Sequence, residues 1–112
     1  MPPFPVRDNR RVMQNIYTLT METVGNPDRQ QYVPITNPED FWGFSIGELK
    51  NKLLRWRDFN TVGFSNWVEP ILYLNGEQIG YFSYNLRLWR LPIGEPQVEV
   101  TQNDYLRQRV NV

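Results

Sequence analysis

The sequence contains neither cysteine nor histidine among its 112 residues. Without cysteine no disulfide can form, so the fold must rest on packing alone. For the same reason the sequence gives no indication of the redox state of its compartment. Without thiolate or imidazole groups, zinc fingers, Cys–His and Ser–His–Asp catalysis and most transition-metal sites are excluded. We therefore predict no metal and no cofactor.

Net charge and long apolar runs are also lacking. Twelve basic residues balance twelve acidic ones, so no long-range field draws the protein toward nucleic acid or an anionic membrane. No segment approaches the roughly 18 apolar residues of a membrane span, and the Pro-rich start lacks the apolar core of a signal peptide. We expect a location in the cytoplasm or within a viral or other macromolecular assembly, and no membrane partner.

Aromatic residues and prolines are abundant instead. Phe, Trp and Tyr make up 14% of the chain, which argues against disorder, and the length suits one domain. Nine prolines concentrate at the start and between candidate elements. We predict an extended N-terminal arm at 1–11, a single α+β domain at 12–101 and a polar C-terminal tail at 102–112.

Hydrophobic periodicity predicts the first elements. Alternation of period two over residues 12–24 indicates a half-buried strand. The sequence Asn-Pro-Glu-Asp at 37–40 combines a helix cap, a first-turn proline and first-turn acids, so it predicts a short helix that ends at Gly43. Ser45 and Glu48 form a capping box that starts a second helix over about 45–58. Its apolar stripe is Ile46, Leu49, Leu53 and Trp56.

The Asn75-Gly76 pair predicts a hairpin between strands at 67–74 and 77–90, since both residues tolerate a type I′ turn. A strict two-residue hairpin would put the apolar residues of the two strands on opposite faces, and a one-residue bulge at Gly80 restores the phase. Pro70 is expected at a strand start or on an edge. With a short strand at Val98 and Val100, the fold class is α+β: a single, mostly antiparallel sheet of about four strands with one amphipathic helix packed on one face.

The second face of this sheet is the candidate binding surface. Strand alternation turns aromatic and arginine side chains away from the core, where a plain solvent face would carry Thr, Lys and Glu. Such residues are typical of interface cores and hot spots. We predict partner binding by five of them: Trp67, Tyr73, Tyr81, Arg87 and Trp89. The alternative is that another part of the chain, such as the arm or the loop at 26–37, covers this face.

Catalytic candidates are weak, and we predict that the protein is not an enzyme. The only adjacent acids, Glu39 and Asp40, lie at a predicted helix start, where they stabilise the helix dipole. Lys50 and Lys52, the only lysines, lie on the exposed side of a helix, so neither is a buried nucleophile.

Three hypotheses for function follow. The leading one is a non-enzymatic protein-interaction or structural-assembly module, in the style of a viral or phage subunit, that binds a protein partner or itself. A nucleic-acid-binding domain is the second, with exposed aromatics that stack bases and four basic residues: Lys52, Arg55 and Arg57 on the helix, and Arg90 at the end of the hairpin. The third is a small-ligand or carbohydrate-binding domain, in which sugars stack on exposed Trp and Tyr rings.

Overall fold

The computed structural model describes residues 14–94 and 97–100 of the chain. It contains five strands and one α-helix: β1 (Tyr17–Met21), β2 (Glu39–Gly43), α1 (Ile46–Phe59), β3 (Ile71–Leu74), β4 (Glu77–Phe82) and β5 (Leu88–Trp89). The strands form one antiparallel sheet in the order β2-β1-β3-β4-β5. The predicted α+β class is confirmed. The arm at 1–11 and the tail at 102–112 lie outside the described residues.

Helix α1 forms as the sequence predicts. The Ser45 hydroxyl accepts a hydrogen bond from the Glu48 amide at 3.0 Å, and the Glu48 carboxylate accepts one from the Phe44 amide at 2.8 Å. The first bond satisfies an amide that a helix start leaves without a partner, and the second holds the residue before the cap in place of the Ser45 amide that a capping box would use. The four residues of the apolar stripe are all buried. They meet the sheet residues of the core, among them Tyr17, Leu19, Met21, Leu72, Leu74, Phe82 and Leu88.

A bulge is present in the β3–β4 hairpin, one residue before the predicted position at Gly80. Leu72 pairs with Gly80 and Tyr73 pairs with Gln78, so Ile79 is the extra residue on β4. The bulge shifts the phase of the residues after it, so that Phe82 joins Ile79 in the core on the face that α1 covers. Pro70 directly precedes β3, where its missing amide breaks no strand hydrogen bond.

Residues 39–43 form a strand, so the predicted short helix at 37–43 is wrong. All five residues of β2 pair with β1, from Tyr17 opposite Gly43 to Met21 opposite Glu39. A helix of one or two turns would gain few internal hydrogen bonds, whereas strand pairing also places Phe41 against the core. Tertiary pairing therefore overrides the local capping signal. Glu39 and Asp40 are strand residues and do not cap a helix.

The single strand predicted at 77–90 is in fact two strands joined by a tight turn. In that turn the Leu86 amide donates to the Ser83 carbonyl at 2.8 Å, and Leu86 adopts a left-handed φ of 65°. The Ser83 hydroxyl bonds to the Asn85 side chain, as short polar side chains do in turns. The chain reverses there, and β5 pairs back onto β4. The short strand expected at 98–100 takes the form of a bridge between Glu99 and Trp89.

Thr23 anchors the long connection between β1 and β2. Its buried hydroxyl accepts hydrogen bonds from the amides of Ile35 at 3.1 Å and Thr36 at 3.0 Å. The connection begins with a 3-10 turn at Pro27–Arg29, and a second 3-10 turn at Phe64–Asn66 lies between α1 and β3.

We expect Thr23→Val to lower the free energy of unfolding by about 2 kcal/mol. Valine keeps the shape of the side chain but leaves two amides without their acceptor. Thr20→Val, which removes one solvent-exposed hydrogen bond to Asp40 and leaves no buried amide unpaired, is the matched control and should change stability by about 0.5 kcal/mol or less. Urea denaturation followed by circular dichroism measures both. Equal effects of the two substitutions would show that the Thr23 hydroxyl does not hold the connection.

Candidate functional site

The sheet has one face under α1 and one face turned away from it, which we call the second face. Residues opposite one another across antiparallel strands share a face, so Trp42, Thr18, Tyr73 and Gln78 form one row of the second face. Ile71, Tyr81 and Trp89 form the next row. The sequence-predicted residues Tyr73, Tyr81 and Trp89 therefore do lie on this face.

The β4–β5 half of the second face is covered by the chain itself. The side chain of Tyr81 is only 1% exposed. Its hydroxyl accepts a hydrogen bond from the Gln97 side-chain amide at 3.1 Å and lies 3.5 Å from the Gly94 amide. The prediction that Tyr81 is accessible is therefore wrong, because the segment after β5 lies over it. Trp89 is half-buried beside it and donates its indole N–H to the Ser83 hydroxyl at 2.8 Å.

Arg87 is bound to the same covering segment. Its guanidinium donates to the Glu99 carboxylate, with Nε 3.0 Å from Oε2, and lies 5.1 Å from the centre of the Trp89 ring. This hydrogen bonding lowers the pKa of Glu99 and raises the pKa of Arg87. The backbone of the segment adds to β5, with the Arg90 amide 2.8 Å from the Val98 carbonyl. Arg87 therefore holds its own chain in place at this edge.

Trp67 is a core residue, so its predicted place on an accessible face is also wrong. Its indole N–H donates to the Phe82 carbonyl at 3.1 Å. Its ring packs edge-on against the Tyr84 ring, with 5.6 Å between the two ring centres. Strand β3 begins only at Ile71, so the alternation of side chains predicted for a strand at 67–74 does not reach Trp67.

The other half of the second face carries an open groove. A depression of about 420 Å³ is lined mainly by β1 and β2 residues together with Tyr73. A second depression of about 260 Å³ adjoins it and is lined by Glu22, residues 68–71 and again Thr20 and Tyr73. Since the two share Thr20 and Tyr73, we treat them as one feature, the second-face groove. The first depression has a mostly apolar lining: Thr18, Leu19, Thr20, Asp40, Phe41, Trp42, Tyr73 and Gly76.

Carboxylates stand along this groove. Asp40 lines the first depression, and Glu22 and Glu69 line the second. All three are exposed, and none forms an ion pair with another described residue. Asp40 accepts a hydrogen bond from the Thr20 hydroxyl at 2.6 Å, which fixes it at the groove wall. The groove thus combines an aromatic floor with negative charge.

The basic residues predicted for nucleic-acid binding do not converge. Lys52 donates to the Trp42 carbonyl at 2.7 Å and lies 3.4 Å from the Glu48 carboxylate. The hydrogen bond from the Phe44 amide lowers the pKa of Glu48 most, and the contact with Lys52 lowers it further. Arg57 donates to the Tyr84 carbonyl at 2.7 Å and lies 3.2 Å from Asp58. Arg55 and Arg90 are exposed. Two of the four basic charges are therefore already paired with carboxylates.

Sequence reasoning missed a polar cleft at the C-terminal end of α1. It measures about 670 Å³ and lies between the 26–35 connection and the loop after α1. Several of its polar groups form hydrogen bonds with one another. For example, the Asn66 side-chain amide donates to the Gln31 side-chain oxygen at 2.9 Å. Phe64 lies at the cleft and is 78% exposed, and Phe59 at the end of α1 is 87% exposed. Phe59 could have been noticed because it falls outside the apolar stripe.

Within residues 14–94 and 97–100, no group of three or more acidic side chains is placed to hold a metal ion. No helix of this part of the chain has the length and apolar character needed to cross a membrane. Comparisons of the chain with protein-family models, with curated proteins and with solved structures find no match.

Proposed function

We propose that the protein is a non-enzymatic assembly module that associates with further copies of itself through the second-face groove. The observation that carries the proposal is the groove around Tyr73, on the half of the second face that neither α1 nor the segment after β5 covers. As part of the same proposal, the module is a subunit of a larger assembly, such as a virus or phage particle.

The chemistry of the groove suits a protein partner. Tyr73 presents a large, stiff ring with a polar tip, and it is half-buried between the Thr18 hydroxyl and the Gln78 amide of the neighbouring strands. Such a ring fills a partner surface at low entropic cost, which makes tyrosine typical of interface hot spots. The neutral net charge of the whole chain adds no general repulsion between copies.

The arrangement of the acids supports a non-catalytic role. Glu39 and Asp40 are neighbours in β2, and successive strand residues point to opposite faces of a sheet. The two carboxylates therefore do not converge on one substrate atom, as general acid–base pairs must.

The two other hypotheses have narrower support. Nucleic-acid binding would rely on Arg55 and Arg90, since Lys52 and Arg57 are paired with carboxylates. Small-ligand binding is favoured by one observation, the cleft at the end of α1 with the exposed Phe64 ring on which a sugar could stack. Retention on heparin at low salt would support the first. Saturable quenching of tryptophan fluorescence by oligosaccharides, lost in Phe64→Ala, would support the second.

Size-exclusion chromatography with light scattering tests the assembly proposal. The wild-type mass should rise with concentration above the 13.4 kDa of one chain. Tyr73→Ala should weaken the association by about thirtyfold, as expected for loss of a hot-spot ring worth about 2 kcal/mol.

Phe59→Ala is the matched control, because it removes an exposed ring far from the groove and should leave the association unchanged. A mass of 13.4 kDa at every concentration would rule out self-association. Equal effects of the two substitutions would remove the groove from it.

A further inference from the structure

We propose that the second-face groove binds residues 1–11 of a second copy of the chain. This inference rests on the proposed self-association and names the segment that makes the contact. Each copy would then offer one groove and one arm, so that arms are exchanged between neighbours.

The start of the chain has the apolar chemistry that an aromatic groove selects. Residues 2–5 are Pro-Pro-Phe-Pro, in which Pro2 and Pro5 are three residues apart. Proline-rich segments favour the extended polyproline II conformation and dock into aromatic-lined grooves at little entropic cost. Tyr73 supplies a ring that both depressions of the groove share, and it lies on β3 opposite the smaller Thr18 of β1.

The lengths also agree. Along β1 the groove runs from Thr18 to Glu22, which is about 13 Å for four rises of ~3.3 Å. In a polyproline II conformation the four rises from Pro2 to Val6 would span about 12 Å at ~3.1 Å each. Residues 2–6 therefore match the groove in length, and the residues after them would extend past its end.

Charge complements this match. The arm continues with Arg7, Asp8, Arg10 and Arg11, so residues 1–11 carry three basic groups and one acid. The groove carries Glu22, Asp40 and Glu69, which have no cationic partner among the described residues. Opposite charges across an interface fix register and speed association.

The path of the chain favours an arm from a neighbour. Before β1, the Ile16 amide donates to the Asn75 side chain at 2.9 Å, and the Asn75 amide donates to the Ile16 carbonyl at 2.8 Å. These bonds fix the start of β1 beside the β3–β4 turn. Glu22 lies at the other end of β1. An arm of the same copy could follow the groove from Thr18 toward Glu22 only if the chain reversed its direction before β1, whereas the arm of a neighbour needs no such reversal.

Charge reversal in the full chain tests the proposal. The arm variant carries Arg7→Glu, Arg10→Glu and Arg11→Glu, and the groove variant carries Glu22→Lys, Asp40→Lys and Glu69→Lys. Each variant alone sets like charges against each other, so its self-association should weaken by about a hundredfold. An equimolar mixture restores both pairings between different molecules, and its particle mass by light scattering should recover the wild-type value. Circular dichroism checks that both variants remain folded.

A synthetic peptide with the sequence of residues 1–11 provides a second measurement. In excess it should dissociate the wild-type assembly, and a peptide with its three arginines replaced by glutamate should not. If the arm variant associates like the wild type while Tyr73→Ala does not, the groove has another occupant and this inference is overturned, although the proposed function stands. Failure of the mixture to associate overturns the exchange between copies. A wild-type chain that is monomeric throughout overturns both proposals.

Discussion

Leu53→Ala should lower the free energy of unfolding by about 2–5 kcal/mol, whereas Leu54→Ala should lower it by about 1 kcal/mol or less. The two residues are neighbours on α1, yet Leu53 is fully buried in the core and Leu54 is 38% exposed. Removal of the Leu53 side chain forfeits its transfer free energy and leaves a cavity against the sheet. At position 54 the side chain already faces solvent in part, so its removal leaves no closed cavity and costs little stability.

Urea denaturation of the two variants measures this difference directly, and each variant serves as the control for the other. The same chemical change at adjacent positions cancels effects on helix propensity and on the unfolded chain. Equal losses of stability would mean that α1 does not pack on the sheet through the stripe to which Leu53 belongs.

Gly80→Ala should destabilise the protein by about 3 kcal/mol. A Cβ atom at this position would lie 2.6 Å from the Trp89 carbonyl oxygen and 2.9 Å from the Leu88 side chain. A backbone oxygen cannot rotate away, so the methyl group must push β4 and β5 apart, which is at the upper end of the usual cost of overpacking. The bulge beside Gly80 already fixes where the strand passes, which leaves little room for adjustment.

Gly47→Ala is the matched control for Gly80→Ala. Position 47 lies in the first turn of α1, where an added Cβ meets nothing closer than the Ser45 hydroxyl at 4.0 Å. Alanine there should raise stability by about 0.5–1 kcal/mol, because glycine loses more backbone entropy in a helix. Thermal unfolding of the two variants should therefore shift in opposite directions. A Gly80→Ala variant as stable as the wild type would contradict the close packing of β4 on β5.

The parts of the fold that sequence reasoning predicts well have determinants within a few residues of one another. The start of α1 depends on Ser45 and Glu48, three positions apart: Ser45 caps the helix as expected, and Glu48 reaches back to the Phe44 amide. The bulge follows from the phase of apolar residues on either side of a two-residue turn, and it lies at Ile79, next to the predicted Gly80. In both places the local preference and the tertiary structure favour the same answer.

The predictions fail where residues that are distant in the sequence determine the local structure. Residues 37–40 carry a helix-start signal, but β2 forms because β1 lies beside it. As a result the groove was not foreseen, since it needs Asp40 next to Thr20. Tyr81 has the predicted strand phase, but its burial depends on contacts with Gly94 and Gln97. The alternation of Val98 and Val100 predicts a short strand there, but it does not indicate which face of the sheet the chain before that strand covers.

The central claim is that the groove is open in one copy of the protein and covered by another copy, and thiol labelling of Thr20→Cys tests it most directly. The chain has no cysteine of its own, so the introduced thiol at this exposed position is the only reactive one. We predict rapid labelling at low protein concentration and progressive protection as the concentration rises. Ser65→Cys, exposed in the loop after α1, should label at one rate throughout. A Thr20→Cys thiol that reacts equally fast at all concentrations, or that is blocked even at the lowest, would contradict the claim.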